Sequence, residues 1–270
     1  MLTIFEFKLE VCSPCQNDCE LCAHADLMRH IKGYQLSLEN LEKFLRYTER
    51  SNYFIRSLSI HGPGEPTLWR HLAEGLAMIR ASKAIGWVTM VTNGLLVDKM
   101  TDDVMACLDR LFVSVYSNYN RPEGLAKLQA RHGAKIRCWD GTYFWEHRSA
   151  PTTTAPIPAG CSCVGPMLYD DKIFTYCGPP VFGAAEAKGV DILHVPHLWV
   201  ALGPNYLQSY NENLIGRMDI CRYCWANANF QGRWRENDPR KKFADTPADA
   251  IRRVIPSAGR EHSPVAPVIQ

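Results

Sequence analysis

The sequence predicts an α/β protein whose main body is an open, partial (β/α)6 TIM-like barrel. Three observations predict it. From the N-terminus to about residue 150, strand-like and helix-like segments alternate, which implies a parallel sheet with helices outside it. The unusual Cys-rich and Gly/Pro-rich segments follow the first three strands, where such folds gather functional groups at the C-terminal strand ends. No dinucleotide-type glycine fingerprint follows the first strand, so a doubly wound sheet fits less well.

Taken in order, Phe5 to Val11 make the first strand, followed by a long cysteine-bearing loop. Ser37 then stands as an N-cap, and Leu38, Leu41, Phe44 and Leu45 mark one face of a helix. Ile55 to Ile60 form a strand that runs into the turn His61-Gly62-Pro63-Gly64-Glu65-Pro66. Leu72, Leu76 and Ile79 space out a second helix, and Trp87 to Val91 a third strand ending at Thr92-Asn93-Gly94. Thr101 caps a third helix reaching Leu108, and Leu111 to Val115 make the fourth strand. A helix near Glu123 to Arg131 and a strand near Lys135 to Trp139 complete the alternation.

Pro151 to Gly160, rich in Thr, Pro and Ala, reads as a linker. Shorter elements follow, a hairpin from Met167 to Tyr176 and the turn Cys221-Arg222-Tyr223-Cys224. The chain thus divides into a main body over 1–150, a small unit over 151–232 and a charged, proline-bearing tail over 233–270. The Arg240-Lys241-Lys242 run reads as a solvated segment rather than a binding patch.

Composition narrows the function. An apolar fraction of 46% supports a real core, and a net charge of +2 gives no bulk attraction to nucleic acid. No run of eighteen apolar residues marks a spanning helix, and Met1 to Glu10 lacks a signal peptide's apolar block. A soluble, cytoplasmic protein is expected. In that setting eleven cysteines point to metal or redox chemistry before disulfides. Cys107 and Cys138 stand alone and read as core packing.

The segment Cys15-Gln16-Asn17-Asp18-Cys19-Glu20-Leu21-Cys22 places three thiols in one compact loop. Most [4Fe–4S] clusters take four cysteines, so three leave one iron open to a small molecule. The competing reading is structural zinc held by Cys12-x-x-Cys15 and Cys19-x-x-Cys22, but the gap between those pairs is far shorter than common zinc spacings.

This loop, CxxxCxxC after a first strand, resembles the signature of the radical S-adenosylmethionine (SAM) superfamily, with Leu21 where an aromatic residue is common. Gly64-Glu65-Pro66 resembles the family's GGEP motif, with Pro63 in place of its first glycine. Thr92-Asn93-Gly94 is similar to a turn that lies near SAM, and Ser114 to a fourth-strand serine that contacts the cofactor. The resemblance spans roughly residues 5–140. It implies that Cys15, Cys19 and Cys22 hold a [4Fe–4S] cluster and that Gly64, Glu65, Pro66, Thr92, Asn93 and Ser114 bind SAM. It further implies reductive cleavage of SAM to a 5′-deoxyadenosyl radical that takes a hydrogen atom from substrate, with a flavodoxin or ferredoxin-type protein as electron donor. Tyr116, Asp140 and Glu146 are candidates to orient substrate, or ordinary barrel and loop residues.

Cys163 and Cys177 flank the hairpin, and Cys221 and Cys224 follow, enough thiols to enclose a second cluster. This resembles the twitch domain, a shortened relative of the SPASM domain that carries one auxiliary [4Fe–4S] cluster, although Asp170-Asp171-Lys172 replaces the family's glycine. Cys161 competes with Cys163 as a ligand, and zinc is the alternative occupant. An auxiliary cluster that accepts an electron favours net oxidation. The expected substrate is a small sugar or aminocyclitol-like molecule, since the first strand begins near residue 4 and leaves no room for a leader-peptide domain. The alternative is crosslinking or epimerisation of a ribosomal peptide, with Cys12, Cys138 or Cys161 as hydrogen-atom donor. A non-catalytic iron–sulfur carrier would not need the SAM-contact turns.

Overall fold

The computed structural model describes residues 2–17, 19, 22, 31–116, 119, 121–141, 143–145, 166–175, 199–213 and 234–236. Five parallel strands stand in sequential order: β1 (Leu2–Glu10), β2 (Tyr53–His61), β3 (Ile85–Thr92), β4 (Arg110–Val115) and β5 (Ile136–Asp140). Helices α1 (Leu38–Arg50), α2 (Leu72–Ala81), α3 (Asp102–Cys107) and α4 (Pro122–His132) connect them. The expected strands are all present, each extended by a residue or more at one or both ends except the fifth, which starts and ends one residue later. The expected caps form. Ser37 accepts from the Asn40 amide at 3.1 Å, and Thr101 accepts from Val104 at 3.4 Å.

A two-residue alternation sorts each strand between two environments. Phe7 and Leu9 on β1, Leu58 and Ile60 on β2, Val88 and Met90 on β3, and Leu111, Val113 and Val115 on β4 are all buried toward the helices. Phe7 meets Phe44 of α1 with ring centroids 4.9 Å apart. The alternate residues share the inner face. Register pairs Glu6, Lys8 and Glu10 with Ser57, Ser59 and His61, and Ser57 and Ser59 with Trp87 and Thr89. Cys107 and Cys138 are partly buried and pack against the core, as expected.

The sheet does not end at β1. The hairpin β7 (Pro166–Tyr169) and β8 (Lys172–Thr175) joins it, β7 lying parallel to β1, and β9 (Val200–Ala201) follows β8. Asp170 turns the hairpin in the left-handed region, φ 53°, a conformation Asp tolerates better than most residues. Where β1 and β7 diverge, the Tyr34 hydroxyl bridges them. It donates to the Glu10 carbonyl at 3.1 Å and accepts from the Asp170 amide at 2.9 Å. Helix α5 (Tyr206–Asn213) covers the outer face of β1, with Tyr206 bonded to Thr48 at 2.7 Å and packed on Phe7 and Phe44. Outside this sheet, β6 (Tyr143–Trp145) pairs antiparallel with β10 (Trp234–Glu236), a strand in the stretch read as a charged tail. The inferred linker over 151–160 lies outside the described residues. Among the described residues no helix is long and apolar enough to cross a membrane.

Candidate cluster and cofactor site

Three chain turns meet at the C-terminal ends of β1, β2 and β3. The one after β2 is drawn under the cysteine loop by two backbone bonds, Gly64 N–H to the Cys12 carbonyl at 3.0 Å and Glu65 N–H to the Pro14 carbonyl at 2.7 Å. Contact is so close that a Cβ on Gly64 would lie 2.1 Å from the Pro14 oxygen. Only glycine fits there. Beyond it, Pro66 opens a single 3-10 turn, Pro66–Leu68.

Glu65 ties this turn to the one after β3. Its side chain is almost wholly buried and accepts four hydrogen bonds. They come from the Thr67 amide at 3.1 Å, the Thr67 hydroxyl at 2.8 Å, the Thr92 hydroxyl at 2.6 Å and the Asn93 amide at 2.7 Å. Burial raises its pKa above the usual carboxylate value, and the four donors oppose that shift. Gly94, at φ 71°, lets the β3 turn close, and its amide donates to Thr92 Oγ1 at 3.0 Å.

Asn93 joins the latch to the cysteine loop. Its Nδ2 donates to Cys15 Sγ at 3.9 Å and to Gln16 Oε1 at 3.2 Å, while Oδ1 accepts from the Leu95 amide at 3.0 Å. Every polar atom of that side chain is therefore spoken for within the protein. The side chains of Glu65 and Thr92 are likewise turned inward onto each other.

Cys15, Cys19 and Cys22 are partly buried, and the Cys22 amide donates to the Cys19 carbonyl at 3.2 Å. Tyr116, just beyond β4, lies within electrostatic reach of all three thiols. Burial first, and then the thiols of Cys19, Cys22 and Cys15, push its hydroxyl well above the ordinary phenol value. Burial, with Glu65 next, pushes the Cys15 thiol up to about 12, so a cation beside it is needed to hold it as thiolate. Three thiols and an amide N–H aimed at one sulfur suit a [4Fe–4S] cluster with one open iron. Among the described residues no three His, Cys, Asp or Glu lie close enough to hold a single metal ion; a cubane is wider than one ion and spreads its ligands further.

Cys12 plays a different part. It is fully buried, bridges to Gln35, and its thiol donates to the Glu65 carbonyl at 3.1 Å. Burial pushes this thiol far above its ordinary value, and its bond to the Glu65 carbonyl ties the end of the first strand to the β2 turn. Ser114 lies on the inner face of β4 beneath Tyr116, and its hydroxyl accepts from the Trp139 indole N–H. Trp139 stacks on Phe112, centroids 5.2 Å apart. Asp140 ends β5 and is exposed. Glu146 and the second cysteine set, Cys161, Cys163, Cys177, Cys221 and Cys224, lie outside the described residues.

Sequence reading missed the inward role of Glu65 and Asn93, and passed over Glu10. The alternation Phe5-Glu6-Phe7-Lys8-Leu9-Glu10 signals a strand, yet Glu10 is 1% exposed. A charged residue at the strand end nearest the cysteine loop was the available signal.

No protein-family model and no curated protein matches the sequence. Solved structures do match. BtrN in complex with AdoMet and 2-DOIA aligns over 77% of this chain and 82% of its own, at TM-score 0.55 and 14% identity. BtrN in an open conformation aligns over 82% and 92%, at TM-score 0.51 and 14% identity. The chain shares the fold of BtrN. That fold is a partial TIM-like barrel, as the strand–helix alternation predicts.

Proposed function

We propose that this chain is a radical SAM oxidoreductase acting on a small polar molecule. The observation that carries this reading is the convergence of the three-cysteine loop, the Gly64-Glu65-Pro66 turn and the Thr92-Asn93-Gly94 turn at one end of the barrel, knit by Glu65 and Asn93. Cys15, Cys19 and Cys22 would hold a [4Fe–4S] cluster, which when bound would supply the electron for cleavage of SAM to a 5′-deoxyadenosyl radical. Gly64, Glu65, Pro66, Thr92 and Asn93 shape the SAM seat. Because the Glu65, Thr92 and Asn93 side chains serve the latch, their share of SAM binding falls to backbone groups. Ser114 keeps a hydroxyl hydrogen to offer toward the cofactor while accepting from Trp139.

Hydrogen abstraction needs side chains that hold substrate and exclude water, and the inner face supplies polar and aromatic ones. Ser57, Ser59 and Thr89 give it hydroxyls, Phe112 and Trp139 an aromatic wall, and Tyr116 a partly buried phenol within electrostatic reach of the thiols. That mixture suits a hydroxylated or amino-bearing molecule, such as a sugar or aminocyclitol, better than an extended peptide. BtrN, seen with 2-DOIA, gives an analogy. Cys163, Cys177, Cys221 and Cys224, within a small unit over 151–232, would hold an auxiliary [4Fe–4S] cluster, which would supply an acceptor for the substrate's second electron. A flavodoxin or ferredoxin-type donor in the cytoplasm reduces the first cluster, and neither nucleic acid nor membrane takes part.

The test is direct. Protein reconstituted without oxygen, given SAM and dithionite, forms 5′-deoxyadenosine, and the Cys15→Ala, Cys19→Ala, Cys22→Ala variant forms none while retaining iron and sulfide at the second site. Zinc in place of iron, with no SAM binding, overturns the reading. Complete loss of iron in the triple variant removes the auxiliary cluster.

A further inference from the structure

Glu10 is the last residue of β1, five positions before Cys15. It is 1% exposed, and among the described residues its Oε2 has no hydrogen-bond partner. Register fixes the direction of the side chain. Phe7 and Leu9 face α1, so Lys8 and Glu10 face the barrel interior, where Glu10 lies beside His61 of β2 and Lys8 beside Ser59. The Glu10 backbone carbonyl is occupied by the Tyr34 hydroxyl, so it is the carboxyl alone that is left with an open acceptor.

An enclosed carboxyl oxygen without a donor is costly, and an apolar residue of like size would pack at less expense. The neighbouring polar residues of the inner face show how the fold treats groups it needs for itself. Ser59 accepts from Thr89 at 3.0 Å, and Glu65 receives four donors. Glu10 is handled otherwise. Burial moves its titration from the ordinary 4.5 to about 7, with Lys8 opposing, so near neutrality it can present either a carboxylate or a carboxyl.

We infer that Glu10 is a substrate-binding residue whose Oε2 accepts a hydrogen bond from a hydroxyl or amino group of the small molecule held inside the barrel, beneath the cysteine loop. This rests on the functional reading above and adds to it the position and the chemistry of one substrate contact. A ligand donor completes the oxygen's coordination and fixes which carbon of the substrate faces the cluster end of the barrel.

The experiment compares the full-length, anaerobically reconstituted protein with its Glu10→Gln variant, using 2-DOIA as the probe in the presence of SAM. Equilibrium dialysis is expected to give binding by the native protein and about tenfold or weaker binding by the variant, the loss of one charge-assisted hydrogen bond. Melting without the probe is expected to show the variant as stable as the native protein or more so, because an amide in that place removes an unpaired buried acid. Equal binding by both proteins, no binding by the native protein, or a variant that melts several degrees lower without the probe each overturns the inference; the last would make Glu10 a structural group. Failure of the underlying reading has a separate sign, absence of 5′-deoxyadenosine from the native protein with SAM and dithionite.

Discussion

On β1, Phe7 and Leu9 turn outward to the helices while Lys8 and Glu10 turn inward, and the same division runs through β2, β3 and β4. The outer face is closed and apolar; Phe7, Phe44 and Tyr206 form a ring cluster there that joins a strand, a helix and the later helix α5. The inner face carries acids, hydroxyls and aromatic walls, and it ends at three turns tied by side-chain bonds. One strand set therefore serves two ends that conflict in a single environment. Burial on one side supplies stability, which lets the other side hold groups such as Glu10 and Glu65 whose burial costs stability.

The division is broken most completely at the turns. Gly64→Ala puts a methyl group into the Pro14 carbonyl, and backbone cannot step aside as a side chain would. The cysteine loop must move. Iron and sulfide at the first site are expected to fall to near zero, together with SAM cleavage, while circular dichroism of the barrel stays close to native. Retention of full iron would mean that the loop and the β2 turn are not coupled in this way.

The outer face gives the contrasting result. Phe44→Ala removes a fully buried ring in contact with Phe7 and Tyr206, at a cost of about 3–5 kcal/mol of folding stability. Below its lowered melting point, the folded variant should load the same iron per molecule and cleave SAM at the native rate. If iron loading falls in step with stability, the two faces are not independent.

Glu10 sharpens the comparison through pH. A carboxyl with a folded value near 7 and an unfolded value near 4.5 keeps its proton longer in the folded state. Between those values the unfolded chain binds fewer protons, so stability falls as pH rises, by up to about 3 kcal/mol for this group. Denaturant unfolding of the native protein and of Glu10→Gln at pH 5 and pH 7.5 measures the difference. The variant should gain on the native protein at the higher pH, and a gap that does not widen with pH would show that Glu10 is not the titrating group.

Much of this was legible beforehand because period-two and helical patterns report the outer face directly. Leu41, Phe44 and Leu45 mark α1, Ser37 and Thr101 cap their helices, and the three-cysteine spacing marks the loop. The inner latch was not legible, since Glu65, Thr67, Thr92 and Asn93 meet only when two strand ends become neighbours. Sequence distance between them, 27 residues from Glu65 to Thr92, hides a 2.6 Å contact. The hairpin over 166–175 could be read as a hairpin from its own residues. Its parallel docking on β1, through Lys8 with Met167 and Leu9 with Leu168, depends on partners more than 150 residues away.

The smallest effect tests the finest contact. Asn93 donates to Cys15 Sγ; with Cys15 as the cluster ligand proposed above, a hydrogen bond to that sulfur would favour the more electron-rich, reduced cluster. Asn93→Ala deletes that donor and also the acceptor for the Leu95 amide, at a cost of about 1 kcal/mol in stability. The midpoint potential should become more negative by less than the ~59 mV that a tenfold change in a one-electron equilibrium requires. Asn93→Asp separates the two roles. It keeps an oxygen for Leu95 but sets a carboxylate beside the sulfur, so stability should recover while the potential drops further. Potentiometric titration followed by electron paramagnetic resonance reads both variants. Identical potentials across the native protein and the two variants would reduce Asn93 to a spacer that holds the β3 turn, and would leave Glu65 as the latch's main tie.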